Sequence, residues 1–282
     1  MSDFAKYVDA FTPAEVAKKV KTLGVSKANM PFLQLLVLSM MAGAFISFGA
    51  MYYTIAMTHP AEAYGAAKML GGLAFSLGFI LVVIAGGELF TGNNLIVMAL
   101  AKRQITLLCV LKNWSLVYLG NAVGAFITVY LVFASGFLDG AHHAVGATAL
   151  KVGLAKVDLS TSEAFVRGIF CNSLVCLASW MVYASRTVMD KVFAVIFPIS
   201  AFVAMGFEHC IANMFMIPLA IVASLNPEIV AVSGVSADAL QNLNLSGFIA
   251  NLIPVTLGNI FGGTIMVGMS LYTVYLYGRD DD

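Results

Sequence analysis

The chain is 282 residues long, 60% of its residues are hydrophobic and only 11% are charged, which gives a mean hydropathy of +0.91. A soluble fold cannot bury that much apolar surface, so lipid must be the main solvent of this chain. Its 15 basic and 15 acidic residues cancel and are spread thinly, which excludes both the basic footprint of a nucleic-acid-binding protein and an acidic tail.

Residues 1–30 form a lysine-rich polar segment ahead of the first apolar run. The segment lacks the apolar stretch and the small-residue site of a cleaved signal peptide. Val16 and Val20 contrast with Lys18 and Lys19 in a way that is typical of an amphipathic helix. We expect this helix to lie on the cytoplasmic membrane surface, with a plug of the cytoplasmic mouth as the alternative.

The apolar runs that follow are long enough to cross about 30 Å of hydrocarbon at about 1.5 Å per helical residue. Four of these apolar runs each predict one uninterrupted transmembrane helix, at residues 32–57, 107–135, 164–184 and 247–277. Residues 31–278 are therefore expected to form the transmembrane domain, and residues 279–282 a short cytoplasmic tail.

Two further apolar tracts, residues 69–101 and 192–227, are too long for one span and too short for two. Each holds a glutamate among residues that interrupt a helix, Glu88 in the first and Glu208 in the second. We interpret each tract as one broken helix. Irregular backbone at membrane depth is tolerated where protein or a watery cavity satisfies it, so the two breaks predict a transport pathway.

The basic residues fix the expected orientation. Residues 1–30, 102–112 and 186–191 together with Arg279 hold 11 of the 15 basic residues. This asymmetry predicts six crossings with both termini in the cytoplasm. The basic residues expected on the opposite side are Lys68, Lys151, Lys156 and Arg167.

Two patterns recur in the two halves of the chain. The pattern L-G-N-x-x-G begins at Leu119 and again at Leu257. A glutamate stands five residues before an asparagine at Glu88 with Asn93, and at Glu208 with Asn213. Three crossings per unit would make the two copies opposite in topology. We therefore expect an inverted repeat whose second and fifth helices are broken, with the substrate site between the breaks.

Polar residues inside the broken tracts are the candidates for a transport site. His209 is the only histidine inside a span, where an imidazole serves an ion or proton path or else caps the broken helix. Thr91 is expected to hydrogen bond with His209 across the pseudo-twofold axis. Glu88 and Glu208 are interpreted as support for the breaks, each accepting backbone amides of its own loop.

Large apolar residues flank the breaks and could close a pore by excluding water. They are Phe75, Phe79, Leu89 and Phe202. Packing in the core or against lipid is the alternative for all of them. Asn172 in the fourth span needs partners in the bundle or in a polar lumen. Lys156 and Lys151, interpreted as loop residues, would attract anions only if they lie at a pore mouth.

The segments around both breaks and the two Leu-Gly-Asn segments resemble the formate/nitrite transporter family. The break segments are Gly87-Glu88-Leu89-Phe90-Thr91-Gly92-Asn93 and Gly206-Phe207-Glu208-His209-Cys210-Ile211-Ala212-Asn213. The resemblance runs through all six spans. It is stronger to the formate channels than to the nitrite or hydrosulfide members, through Lys112-Asn113-Trp114, Met189-Asp190-Lys191 and Asn213-Met214-Phe215-Met216-Ile217-Pro218.

This resemblance implies an all-α, aquaporin-like protomer in a homopentamer of a bacterial cytoplasmic membrane. It implies that formate or a related small anion is the substrate, bound centrally by Thr91 and His209. Phe75 and Phe202 would narrow the periplasmic side and Leu89 with Phe79 the cytoplasmic side, while Asn172 and Lys156 match functional residues of the family. A smaller aliphatic residue is expected where Phe79 stands.

Two other classes fit less well. An aquaporin-type solute channel needs two Asn-Pro-Ala motifs, and Asn226-Pro227 is near a span end. A membrane oxidoreductase usually needs paired intramembrane histidines, so neither an enzyme nor a bound cofactor is expected. The cysteines, which lack metal or disulfide spacing, are expected to be small buried hydrophobes; they are Cys109, Cys171, Cys176 and Cys210.

Overall fold

The computed structural model of the chain describes residues 10–59 and 63–279. Within these ranges the chain is helical and contains no strand. The expectations for residues 1–9 of the N-terminal segment and for residues 280–282 of the tail lie outside the described residues.

Twelve α-helices follow one another in the described ranges. The first half contains α1 (Pro13–Ala28), α2 (Phe32–Ala56), α3 (Tyr64–Ala85), α4 (Val97–Ala101) and α5 (Leu107–Ala134). The second half contains α6 (Ala144–Val157), α7 (Thr161–Ala184), α8 (Val188–Ala204), α9 (Cys210–Ala223), α10 (Pro227–Ser233), α11 (Leu245–Phe261) and α12 (Ser270–Tyr275). Short 3₁₀ turns occupy Gly92–Ile96, Phe137–Asp139 and Ala239–Asn242, and a π-helical stretch, Gly262–Met269, joins α11 to α12.

Five helices are long and apolar enough to cross a membrane: α2, α3, α5, α7 and the continuous unit α11–α12. The four simple spans predicted from sequence agree with α2, α5, α7 and α11–α12 to within a few residues. The tract at residues 192–227 covers most of α8 and all of α9, which have 17 and 14 residues. A sixth span appears only if α9 and α10, bent by 105°, are counted together.

Helices of the two halves pack in a matching way. In the first half α2 packs against α3 and α5, in the second α7 packs against α8 and α11, and α3 and α8 join the halves. Small residues allow the close contacts. A Cβ atom at Gly124 would overlap the carbonyl oxygen of Met40, and one at Gly262 would overlap that of Ile169. The last glycine of each L-G-N-x-x-G pattern therefore serves helix contact.

Helix α1 packs against the protein, so the expectation that it lies on the membrane surface is wrong. Thr12 and Glu15 form a capping box at its start, and such a box satisfies free amides of the first turn. Val16 and Val20 are buried in a cluster that includes Met98. A narrow apolar stripe is enough to dock a helix against protein, and the same stripe is typical of a helix on a membrane surface.

Three of the four cysteines are buried as expected. The exception is Cys109, which is partly exposed in the first turn of α5.

Candidate transport site between two helix breaks

Both breaks begin at a glycine with a left-handed backbone. Helix α3 is followed by Gly86, with φ of +77°, and α8 is followed after one residue by Gly206, with φ of +72°. Glycine adopts this conformation without the steric cost that a Cβ atom adds. The chain then runs without helix to Thr91 in the first break and to His209 in the second.

Thr91 and His209 meet between the two breaks. Thr91 Oγ1 lies 3.0 Å from His209 Nε2, and both residues are buried. His209 also caps α9, because its Nδ1 accepts the amide hydrogen of Ala212 at 3.1 Å. Since Nδ1 is the acceptor, a neutral imidazole carries its proton on Nε2 and donates it to Thr91. The hydroxyl hydrogen of Thr91 then points away from His209 and can serve an anion.

A cavity of about 560 Å³ opens next to His209. We call it the α6 vestibule, because helix α6 supplies much of its wall. Phe75, Phe202 and His209 line it, and the rings of Phe75 and Phe202 meet edge to face with centroids 5.8 Å apart. All the basic residues that the sequence assigned to the non-cytoplasmic side line this cavity: Lys68, Lys151, Lys156 and Arg167.

A second cavity of about 340 Å³ lies next to helix α1, and we call it the α1 vestibule. Phe79 and Leu89 line it together with basic residues of α1 and α8. Lys19 donates to the Tyr183 carbonyl oxygen at 3.1 Å. Burial lowers the pKa of Lys19, and the nearby charge of Lys191 lowers it further. Of the four candidate constriction residues, Phe75 and Phe202 thus line the α6 vestibule, and Phe79 and Leu89 line the α1 vestibule.

Glu88 is held by side chains, so the expectation that it accepts backbone amides of its loop is wrong. Its carboxylate accepts from Lys27 Nζ at 2.6 Å and from Asn93 Nδ2 at 2.8 Å. Asn93 Nδ2 also donates to Asn113 Oδ1 at 3.0 Å, and Asn113 donates to the Lys27 carbonyl oxygen. The four residues form a closed cluster in which the buried charge of Glu88 is paired.

The second break carries the same cluster, and the same correction applies to Glu208. Its carboxylate accepts from Lys156 Nζ at 2.9 Å and from Asn213 Nδ2 at 2.6 Å. Asn213 donates to Asn251 Oδ1 at 2.7 Å, and Asn251 donates to the Lys156 carbonyl oxygen. Lys156 is thus a half-buried residue in the last turn of α6, and Lys151 is exposed on the same helix. The interpretation of both as loop residues is therefore wrong.

Asn172 lies behind the first break. Its amide donates to Asn94 Oδ1 and to the Asn259 carbonyl oxygen, both at 2.7 Å. Asn172 lines neither vestibule. Its contacts join α7 to the first break and to the end of α11.

Comparison with known proteins agrees with this architecture. Residues 14–273 match the family model "Formate/nitrite transporter". The chain is 43% identical over 276 residues to the formate channel FocA of Escherichia coli (strain K12), covering 96% of this chain and 97% of the relative. It is 44% identical over 265 residues to the formate channel FocA of Haemophilus influenzae, covering 92% and 93%. The chain belongs to the formate/nitrite transporter family.

A solved structure agrees with the family and with the fold. The structure described as "Pentameric formate channel with formate bound" aligns with a TM-score of 0.79 at 40% sequence identity, over 87% of this chain and 98% of that one. This member of the formate/nitrite transporter family is therefore a multi-pass membrane transport protein and not an enzyme.

Sequence reasoning missed three residues that hold the breaks of this transporter: Lys27, Asn113 and Asn251. In the sequence, nothing distinguishes Lys27 from the other basic residues of the N-terminal segment. Asn113 belongs to the segment Lys112-Asn113-Trp114, which supports the family resemblance but gives no structural reason for it. Trp114 also takes part, because its Nε1 donates to the Asn93 carbonyl oxygen at 3.0 Å.

Proposed function

We propose that this chain conducts formate across the membrane through Thr91 and His209. The observation that carries the proposal is the buried contact of 3.0 Å between these two residues. His209 lines the α6 vestibule, and Leu89 of the first break lines the α1 vestibule. The related proteins named above are formate channels, which favours formate over nitrite. A carboxylate needs a donor when it leaves water, and the free hydrogen of the Thr91 hydroxyl supplies one.

The vestibules and constrictions select and concentrate the ion. Cations in a cavity with low-dielectric walls raise the local concentration of an anion, and in the α6 vestibule Lys151 serves this role. Lys156 lines the same cavity, but its charge is balanced by Glu208. The edge-to-face rings of Phe75 and Phe202, and Leu89 with Phe79 on the other side, exclude hydrated ions. Asn172 does not line the pathway; it stabilises the first break through its hydrogen bond to Asn94.

His209 couples transport to protons in this proposal. A protonated formate crosses an apolar constriction at lower cost than the anion, because an unpaired charge is expensive in low dielectric. An imidazolium can give up its Nε2 proton through Thr91. Forming it requires a proton on Nδ1, which displaces the amide of Ala212, so charging His209 and capping α9 are mutually exclusive.

The arrangement of the whole molecule completes the proposal. Residues 31–278 form the pore domain as two inverted three-helix repeats with aquaporin-like symmetry and six crossings, the second and fifth broken. The matching clusters at Glu88 and Glu208 support this symmetry. Both termini face the cytoplasm of a bacterial inner membrane, and five copies assemble with one pore in each.

The test is anion flux into proteoliposomes containing the purified protein, with formate, nitrite and hydrosulfide compared between about pH 5 and 8, where an unperturbed histidine changes charge. We expect formate to be preferred and its uptake to steepen on acidification. Dominant nitrite or hydrosulfide flux would overturn the substrate. Flux of neutral solutes such as glycerol, with none of formate, would favour an aquaporin-type channel.

A further inference from the structure

Asn121 is the residue that satisfies the backbone of the first break. Its Oδ1 accepts the amide hydrogen of Phe90 at 3.0 Å. Its Nδ2 donates to the carbonyl oxygens of Glu88 at 2.9 Å and of Ser39 at 2.7 Å. The side chain is fully buried. One amide group of α5 thus binds the loop on both sides of Leu89 and ties it to α2.

Asn259 makes the same three contacts at the second break. Its Oδ1 accepts the amide hydrogen of Cys210 at 2.9 Å. Its Nδ2 donates to the carbonyl oxygens of Glu208 at 2.9 Å and of Gly168 at 2.8 Å. Asn259 is also fully buried. Here the amide group, supplied by α11, binds the loop on both sides of His209 and ties it to α7.

The chemistry of the break explains why asparagine stands at both positions. A broken helix leaves N–H and C=O groups without partners, and inside a membrane each unpaired group costs several kcal/mol, on the order of the penalty for a lost hydrogen bond in hydrocarbon. A carboxamide offers one acceptor atom and two donor hydrogens on one short side chain. Asn121 and Asn259 use all three toward neighbouring backbone.

We infer that the asparagines of the repeated L-G-N pattern are positioning residues. Asn121 fixes Leu89 and the adjoining Thr91, and Asn259 fixes His209. The roles of Thr91 and His209 rest on the function proposed above, whereas the stapling of the two breaks does not. Neither asparagine lines a vestibule, so each acts through the loop that it binds.

We call the three hydrogen bonds of each asparagine a staple. The staples of Asn121 and Asn259 hold different residues, so we expect their loss to cause different defects. Asn121 binds the loop at Glu88 and Phe90, so its loss misplaces the constriction at Leu89 and relaxes selection by size. Asn259 binds the loop at Glu208 and Cys210, so its loss misplaces His209 and changes the pH profile of flux. A merely structural role would affect both readouts equally.

The experiment compares Asn121→Leu and Asn259→Leu, which remove all three contacts, with Asn121→Asp and Asn259→Asp, which keep the acceptor. Thr128→Val is the matched control, because Thr128 is buried in α5 and its hydroxyl donates within that helix, to the carbonyl oxygen of Gly124. Each variant is checked for oligomer size and melting temperature in detergent. Formate flux, the ratio of formate to lactate flux, and the pH profile are then measured in proteoliposomes.

We expect formate flux to fall about 10- to 100-fold in the Leu variants, the range that follows from misplacing a reacting or binding group by about 1 Å. The Asp variants should fall between these and the parent chain, and Thr128→Val should match the parent. The formate-to-lactate ratio should drop for position 121, and the pH profile should change for position 259. Assembled Leu variants with parental flux, ratio and pH profile would overturn the inference.

A second measurement covers the case in which the Leu variants do not assemble. Hydrogen–deuterium exchange of the unaltered protein reports on the amides of Phe90 and Cys210 directly. Stapled amides exchange as slowly as those of the flanking helices, and rapid exchange of these two would contradict the inference. If nitrite proves to be the preferred ion, the proposed substrate fails, but the comparison of variants is repeated with nitrite and still tests the staples.

Discussion

Lys27 and Lys156 hold equivalent positions in the two halves of the chain. Each ends an amphipathic helix, each donates to the glutamate of a helix break, and the carbonyl oxygen of each accepts from an asparagine of the last long helix of its half. The correspondence pairs α1 with α6, two helices that lie outside the predicted spans. Helix α1 is therefore an integral part of the first half and the wall of its own vestibule.

This pairing predicts a non-additive effect on stability. Lys27→Met leaves the buried carboxylate of Glu88 without its cation, and breaking a buried ion pair in this way typically costs about 3–5 kcal/mol. The double variant Lys27→Met/Glu88→Gln removes both charges and should recover much of the melting temperature. The measurement is thermal unfolding of the purified oligomer.

The matched control is the second pair, with Lys156→Met and Lys156→Met/Glu208→Gln measured in the same way. A double variant no more stable than its single variant, at both breaks, would contradict the view that the lone carboxylate is the source of the cost.

The spans could be read from the sequence because hydrophobicity over about 20 residues is a local property. The sequence pairs Glu88 with Glu208 for a similar reason, since each stands five residues before an asparagine. Their partners were missed because Lys27 lies 61 positions before Glu88 and Lys156 lies 52 before Glu208. At that separation only the fold decides which lysine meets which carboxylate.

The wrong expectation about α1 has a related cause. Val16 and Val20 beside lysines are equally suited to lipid headgroups and to an apolar groove of the protein. The groove is created by Met98, Val267 and other residues distant in sequence, and no pattern within residues 1–30 refers to it. The contact between Thr91 and His209, by contrast, followed from the repeat alone, since both lie at the breaks.

The dual contact of His209 predicts that two substitutions will separate its roles. Asparagine at this position can still cap α9, since Asn is a favourable N-cap residue, but it does not titrate. His209→Phe removes both the cap and the titratable group. We expect His209→Asn to keep the melting temperature and to lose the pH dependence of formate flux, whereas His209→Phe loses both.

The readout is a pH series of proteoliposome flux beside a melting curve for each variant. If His209→Asn retains the parental pH profile, the proton does not pass through this residue.

Thr91 is predicted to act through its hydroxyl hydrogen. Hydrogen bonds to charged groups are worth about 1.5–3 kcal/mol, so Thr91→Val, which keeps the shape, should lower formate flux about 10- to 100-fold. Thr91→Ser keeps the hydroxyl and should retain most of the flux. Stopped-flow measurement of formate uptake at one fixed pH tests this prediction. Equal flux in the Val and Ser variants would show that the hydroxyl of Thr91 does not take part in transport.

The constrictions of the two vestibules are predicted to differ in what they control. Phe202 contacts Phe75 edge to face and stacks on His209, with ring centroids 6.0 Å apart and planes inclined by 20°. Phe202→Ala should therefore both widen the α6 vestibule and loosen His209, so that larger monocarboxylates pass and the pH profile shifts.

Phe79 lines the α1 vestibule beside Leu89 and makes no ring contact with His209. Phe79→Leu should raise the flux of formate and of larger monocarboxylates while it leaves the pH profile unchanged. Flux of formate, acetate and lactate between about pH 5 and 8, the range in which an unperturbed imidazole titrates, separates the two cases. Of these two residues, Phe202 is the one whose ring contacts the imidazole. A shifted pH profile in Phe79→Leu, or an unshifted one in Phe202→Ala, would therefore contradict the assignment of proton coupling to the α6 side.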